Sequence, residues 1–377
     1  MNQKMNMQMS RQMNETMDKS IKQHYHSMDK ERGQAVAEAL LLWYDQHKRE
    51  LPWRLTKDPY AIWISEIMAQ QTRITALLPY YERFMKRLPT AAYLAAADVD
   101  EVLKLWEGLG YYARARNLHK AAGILVSQYE GRMPPDMQAL IKLPGIGAYT
   151  AGAIMSIAFD APVPAVDGNV LRVFARVEDN HMDIADTATR AALAKVIADI
   201  MPAERASCFN QSLMELGALV CLPKNPLCQE CPLYDLCRAR LAGTQRQLPV
   251  KSPKKAAKTL DKTFLLLISP EGELLMRKRT ERLLHGLWEP YSVDMGLGRA
   301  ESLAHAGDAG LWASRIKDIG GSRHIFTHLI WEMTGYAIFV REKCGVAGYE
   351  WVTKAMLEAM AVPTAVAYYV NWFVENA

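Results

Sequence analysis

The 377-residue chain is half hydrophobic and 23% charged, enough apolar residue for two ordinary domain cores, which excludes an intrinsically disordered chain. Its formal net charge of +4 permits nucleic-acid binding without demanding it, so the distribution of charge matters more than the sum. There is no run of about eighteen apolar residues, and the opening MNQKMNMQMSRQMNETMDKS lacks an apolar secretory centre; both exclude membrane insertion or export and point to a soluble, cytoplasmic protein.

Residues 1–27, rich in Met, Gln, Asn and Lys without periodicity, read as a disordered tail or an upstream false start before Met28. From Gln34 to about Leu241 the text is helical. LPWR, residues 51–54, offers an indole and a guanidinium suited to stacking on and hydrogen-bonding a base, although a core Trp53 beside a surface Arg54 fits equally well. In YAIWISEIM the apolar Tyr60, Trp63, Ile64, Ile67 and Met68 share one helical face, with Asp58 and Pro59 as N-cap and first turn. Glu66 falls away from that stripe, where a solvated glutamate is the ordinary reading. Further helices are expected over about 73–87, 99–107, 111–129, 148–158, 168–178, 187–200 and 205–220, which makes the domain over 28–241 all-α.

Within this region GLGYYARARNLHKAA, residues 108–122, carries Arg114, Arg116, His119 and Lys120 among tyrosines. It reads as a phosphate-contacting face or, more ordinarily, as a solvated one. LIKLPGIGAYTAG, residues 140–152, sets a helix, a Gly-x-Gly turn and a second helix in a row. Gly145 and Gly147 there either grip a DNA backbone through exposed N–H groups or form a plain turn. In VDGNV, Asp167 precedes a helix and an N-cap is its ordinary reading. Glu66 and Asp167, about a hundred residues apart, act as a pair only if the fold brings them together.

CLPKNPLCQECPLYDLC, residues 221–237, spaces Cys221, Cys228, Cys231 and Cys237 as C-x6-C-x2-C-x5-C. Structural zinc usually draws on two close pairs and only one occurs here, so an iron–sulfur cluster fits better than zinc, and disulfides fit least. Cys208 and Cys344 lie outside the spacing and read as small buried hydrophobes. TQRQLPVKSPKKAAKTLDK, residues 244–262, has six basic residues, one acid and no apolar period, and places a basic, exposed linker at 242–259. Beyond it, over 260–377, KTFLLLISPEGELLMRKR and HIFTHLIWEMTGYAIFVR read as strand pairs, and helices near 300–313, 354–360 and 364–374 make this domain α+β.

PWR, WISEIMAQQT, LPGIGAYTAGAI, VDGNVLRV and the four-cysteine tail together resemble, in order and spacing, the helix-hairpin-helix DNA glycosylases with an iron–sulfur cluster, and specifically the adenine DNA glycosylase branch. The resemblance runs from about residue 30 to the C-terminus. It implies a multidomain protein: an all-α helix-hairpin-helix glycosylase domain with a [4Fe-4S] loop on the four cysteines, then an α+β Nudix-like domain. It also implies release of adenine opposite 8-oxoguanine or guanine, with double-stranded DNA as partner and a monomer associated with the nucleoid. Glu66 would be the acid toward adenine N7 and Asp167 the carboxylate facing the sugar. Trp53, Arg54, Gln71 and Gln211 would line the base pocket, with Tyr149 and Asn169 near the sugar and Asp167, and Gly145 and Gly147 on the DNA backbone. The related endonuclease III lineage carries a lysine nucleophile two residues after the second hairpin glycine, where this chain has Tyr149, so the resemblance implies a monofunctional enzyme. The C-terminal domain resembles a Nudix fold without its glutamate-rich metal helix between Gly286 and Trp312, hence a binding module, with Phe326, Thr327 and His328 matching a lesion-recognition loop. Two rivals remain at this stage: a lyase acting on oxidised pyrimidines, and a DNA-binding iron–sulfur protein without chemistry.

Overall fold

The computed structural model describes residues 28–253 and 256–377, so the expectations for residues 1–27 lie outside the described residues. In chain order the helical region holds α1 (Lys30–His47), a 3-10 turn (Pro52–Arg54), α2 (Pro59–Ala69), α3 (Ile74–Arg87), α4 (Ala91–Ala96), α5 (Val99–Leu105) and α6 (Ala113–Tyr129). It continues through α7 (Met137–Lys142), α8 (Ala148–Phe159), α9 (Gly168–Val177), α10 (Thr187–Ile200), α11 (Ala206–Leu219) and α12 (Arg238–Ala242). Aspartates start several of them. Asp58 accepts from Tyr60 N at 3.0 Å and Ala61 N at 3.3 Å, Asp136 from Ala139 N at 2.7 Å and Asp167 from Val170 N at 2.7 Å. Each such cap contributes about 1 kcal/mol. Most expected spans agree to within two residues; α6 starts late because Gly110 and Tyr111 have positive φ, and α4 and α7 are too short for a period to reveal.

The described chain forms two compact units, one made of the chain up to Glu66 with Met133–Pro253, the other of Ile67–Arg132 with Lys254–Ala377. In the first unit α1, α9 and α11 bury Val36, Leu40, Tyr44, Val170, Phe174, Phe209, Leu213 and Leu216 in one core, each large side chain contributing about 1.5–3 kcal/mol. Two glycines set close approaches. A Cβ on Gly152 of α8 would meet Pro164 O at 2.6 Å, and one on Gly217 of α11 would meet Asn169 Cβ at 2.6 Å, so both helices press against the segment that carries Asp167. The basic stretch after α12 departs from the exposed linker expected over 242–259. Leu248 is buried and its carbonyl accepts from Arg176 Nε at 3.0 Å, while Val250 O accepts from Ile184 N at 3.0 Å. An apolar anchor and filled carbonyls strap this part to the helices.

In the second unit the chain after residue 257 forms a mixed six-stranded sheet. Its strands are β1 (Lys258–Ile268), β2 (Leu274–Lys278), β3 (Trp288–Val293), β4 (Ala313–Ile325), β5 (Leu329–Val340) and β6 (Glu350–Val352). The order is β4-β5-β1-β3-β2-β6, with β1 and β5 parallel (Phe264 opposite Gly335) and the other pairs antiparallel. The first residues of β1 lie inside the expected linker. Helices α13 (Arg299–Asp308), α14 (Lys354–Leu357) and α15 (Ala367–Asn376) complete the domain. Phe264, Leu266 and Ile268 enter one core with Tyr369 and Phe373 of α15, while Leu265 and Leu267 enter the other with Ala306 of α13. Burial on both faces explains why FLLLI reads as a continuous apolar run and not as an alternation. The helices over 67–132 join this unit through an ion pair and a backbone hydrogen bond: Lys278 Nζ reaches Asp100 Oδ1 at 2.5 Å, and Val362 N donates to Glu107 Oε1 at 2.7 Å. Among the described residues no helix is long and apolar enough to cross a membrane.

Candidate active site

Helix α2 is apolar nearly all round, and its polar exception is buried with it. Ala61, Ile62, Trp63, Ile64 and Ser65 are all buried, and Glu66 is 8% exposed, so the solvated glutamate expected from its position off the stripe does not occur. Burial pushes its carboxyl up to about 7; the Tyr149 hydroxyl lowers it, the Asp167 charge raises it and the Arg54 charge lowers it. Tyr149, in the first turn of α8, donates its hydroxyl to Glu66 Oε2 at 2.5 Å. Burial and the nearby Glu66 and Asp167 carboxylates push the Tyr149 phenol well up, so it stays a donor.

Asp167 fulfils its expected role as the N-cap of α9 through Oδ1, and its Oδ2 accepts from Asn169 Nδ2 at 2.9 Å. Its own pKa is raised by burial against these hydrogen bonds. Asn169 in turn accepts from Arg172 at 2.9 Å, and Arg172 Nε donates to Cys221 O at 2.8 Å. The two carboxyls named from sequence are therefore in electrostatic reach of one another, Glu66 from within α2 and Asp167 from the start of α9.

Trp53 is buried, and Arg54 is committed. Its guanidinium donates to Glu215 Oε1 at 3.0 Å and Oε2 at 2.7 Å and lies 5.6 Å from the Tyr44 ring centroid. This decides against a plain surface arginine. Gln211 accepts from Tyr44 OH at 3.2 Å and donates to Ser207 Oγ at 3.2 Å. Gly145 has φ +81 in the turn between α7 and α8, and exposed Gly147 is the N-cap of α8, with open space where a side chain would stand.

Cys221, Cys228, Cys231 and Cys237 are half-buried and unpaired, which disposes of the disulfide reading. Burial pushes the Cys231 thiol up to about 12, with the other three thiols adding to the rise. Four thiolates are the donor set an iron–sulfur cluster takes. Arg176, 1% exposed, donates to Cys221 Sγ at 3.2 Å, to Leu222 O at 2.8 Å and to Pro223 O at 2.9 Å, holding the first ligand in place. Cys208 and Cys344 are only half-buried, where full burial was expected.

Residues 64–199 match the HhH-GPD superfamily of base excision DNA repair proteins, 221–237 the iron–sulfur binding domain of endonuclease III, and 263–372 the NUDIX domain. The chain is 33% identical to the adenine DNA glycosylase of Homo sapiens over 391 residues, covering 87% of this chain and 72% of that protein. It belongs to the adenine DNA glycosylase family. The homologue of Buchnera aphidicola (subsp. Baizongia pistaciae) is 39% identical over 67% of this chain and 71% of its own. A thermostable thymine-DNA glycosylase structure superposes with TM-score 0.52 at 28% identity, covering 56% of this chain and 98% of that one. The glycosylase thus carries a [4Fe-4S] cluster, which Cys221, Cys228, Cys231 and Cys237 would hold, and its C-terminal domain is Nudix-like.

The remaining sequence-predicted residues of this glycosylase lie in the second unit. Gln71 is exposed at φ +60, just past α2. Phe326 packs edge-on against Trp331 at 5.0 Å and His324 at 4.5 Å, which fixes the loop that exposes Thr327 and His328. Sequence reasoning missed Tyr111. It is exposed at φ +49, and its hydroxyl lies 3.2 Å from Thr327 Oγ1. It also missed Arg49 and Glu215, although a lone acid inside the apolar SLMELGALV was a usable signal. Three of the four basic residues over 108–122 are engaged by the protein itself, while Lys120 is exposed. Arg114 donates to Ile67 O at 2.8 Å, Met68 O at 3.0 Å and Gln70 O at 2.6 Å, Arg116 to His285 O at 2.6 Å, and His119 contacts Ala97 O at 2.9 Å.

Proposed function

We propose that this DNA glycosylase hydrolyses the N-glycosidic bond of adenine opposite 8-oxoguanine or guanine and leaves an abasic site. The observation that carries the reading is Glu66: a buried carboxyl whose proton is held to about pH 7 and whose Oε2 accepts from Tyr149. Cleaving this bond needs a proton on the leaving base and a negative charge beside the cationic sugar, work for two carboxyls in unlike environments. With Oε2 engaged by Tyr149, Oε1 of Glu66 is free to deliver its proton to adenine N7. Asp167, capped and bonded to Asn169, then faces the oxocarbenium ion until water adds at C1′. The base leaves the stack to be reached, which gives Trp53, Arg54 and Gln211 their role as pocket walls and Gly145 and Gly147 theirs on the backbone. When bound, the cluster organises the 221–237 loop and supplies no hydrolytic step. Double-stranded DNA in the nucleoid is the partner, and the enzyme acts as a monomer. Single-turnover base release from duplexes with A opposite 8-oxoguanine, A opposite guanine, and an oxidised pyrimidine tests the reading; release of the pyrimidine alone would replace it with the lyase.

Tyr149 stands where a Schiff-base lysine would be needed, so the parent should release base without nicking in step. Tyr149→Lys is expected to give a borohydride-trappable DNA adduct that the parent forms poorly. Efficient trapping by the parent would end the monofunctional reading.

Thr327 and His328 are proposed to read the opposite base. 8-Oxoguanine differs from guanine by an N7–H donor, so its reader must offer an acceptor, which the Thr327 hydroxyl does. Phe326 anchors the loop on Trp331, and Tyr111 shares the hydroxyl. A specific base contact is worth about 1–3 kcal/mol, so replacing Thr327 and His328 with Ala together should cut the preference for 8-oxoguanine over guanine by about tenfold. Equal losses on both duplexes would assign the loop to general DNA affinity instead.

A further inference from the structure

Glu215 has no part in the reaction as described, yet it is the most heavily engaged carboxylate around Arg54. It sits on α11 at 1% exposure and takes donors from two arginines. Arg49 reaches it through its backbone N at 3.0 Å, Nε at 2.8 Å and a terminal N at 2.8 Å; Arg54 through both terminal nitrogens at 3.0 and 2.7 Å. Arg54 also donates to Arg49 O at 2.9 Å, which locks the two arginines to one another. The result is a triad of two cations and one anion in which Glu215 is buried, Arg54 is largely buried and Arg49 is a third exposed. Desolvation of Glu215 and Arg54 offsets most of the attraction in such a triad, so it is weak as a source of stability and leaves room for another use.

We propose that Glu215 is a positioning and charge-balancing residue for base release, acting through Arg54 on Glu66. The inference rests on the reading of Glu66 as the proton donor. Glu215 fixes where the Arg54 guanidinium stands and cancels one of the two positive charges in the triad. The charged and titratable groups around Glu66 are Arg54 from the turn after α1, Tyr149 from α8 and Asp167 at the start of α9, while α11 contributes Glu215 behind Arg54. A second uncompensated cation there would pull the proton off Glu66 at a lower pH. Although burial alone would raise it, the hydrogen bonds from Arg49 and Arg54 hold the Glu215 carboxyl down to about 2, so its countercharge is constant across the working pH range.

The test is the pH profile of single-turnover adenine release by the full chain with its cluster. In Glu215→Gln, which keeps volume and an acceptor but loses the charge, the alkaline limb should move to lower pH by about half a unit or more. Glu215→Asp, which keeps the charge, should restore the limb. Arg49→Met, which leaves Glu215 and Arg54 balanced, should move it to higher pH, and this arm decides the matter if Glu215→Gln does not fold. A purely structural role would lower the rate in every variant without moving the limb. A limb that is present in the parent and abolished in Glu66→Gln, yet unmoved or moved in the opposite direction in these variants, overturns the inference alone. A parent profile with no Glu66-dependent limb overturns the proton-donor reading and this inference with it.

Discussion

Glu66→Gln is expected to lower single-turnover adenine release by about 10³-fold while duplex affinity stays within a few-fold, measured by base release and by titration of labelled duplex. The amide keeps the shape of the side chain and an oxygen to accept from the Tyr149 hydroxyl, but it carries no transferable proton. Stability gives an independent check on the same residue. The folded-state pKa of about 7 lies above the ordinary 4.5, so the contribution of Glu66 to stability is fully present below 4.5 and is lost as pH rises through 7. Above that pH the parent holds a buried carboxylate at a cost on the order of 3 kcal/mol, which the amide avoids. The variant should therefore melt a few degrees above the parent at pH 8 and no higher than the parent at pH 4. Base release near the parent rate, or a parent that melts higher at pH 8, would remove Glu66 from the proposed role.

Arg176→Met is expected to destabilise the first unit by about 4 kcal/mol or more and to yield protein that has lost much of its visible cluster absorbance. Arg176 is almost wholly buried, and its donors reach Leu248 O at 3.0 Å, Leu222 O at 2.8 Å, Pro223 O at 2.9 Å and Cys221 Sγ at 3.2 Å. Methionine fills the stem's volume but strands those acceptors, and each buried unsatisfied group costs about 1–3 kcal/mol. Thermal unfolding and iron content per chain are the readouts. A variant that melts within about two degrees of the parent and retains full iron would show that the cysteine loop holds itself.

By itself, the sequence determined whatever depends on near neighbours. Asp58 and Asp167 are legible as caps because a cap bonds two or three residues ahead, and the stripe from Tyr60 to Met68 follows from helical period. The cysteine spacing pointed to a cluster because its ligands lie within one seventeen-residue stretch, which also matches as a unit. Only the tertiary structure decided the partners that lie far apart in the chain. Arg54 meets Glu215, Tyr149 meets Glu66, Tyr111 meets Thr327, and β1 lies parallel to β5, none of which a local pattern can encode. Glu66 is the clearest instance: on its own helix it faces away from the apolar stripe, and it is buried because α8 covers that face as well. A helix period reports which residues share a side, whereas the desolvation that raises a carboxyl to about 7 is set by what packs over it, and that is contributed by residues about a hundred positions away.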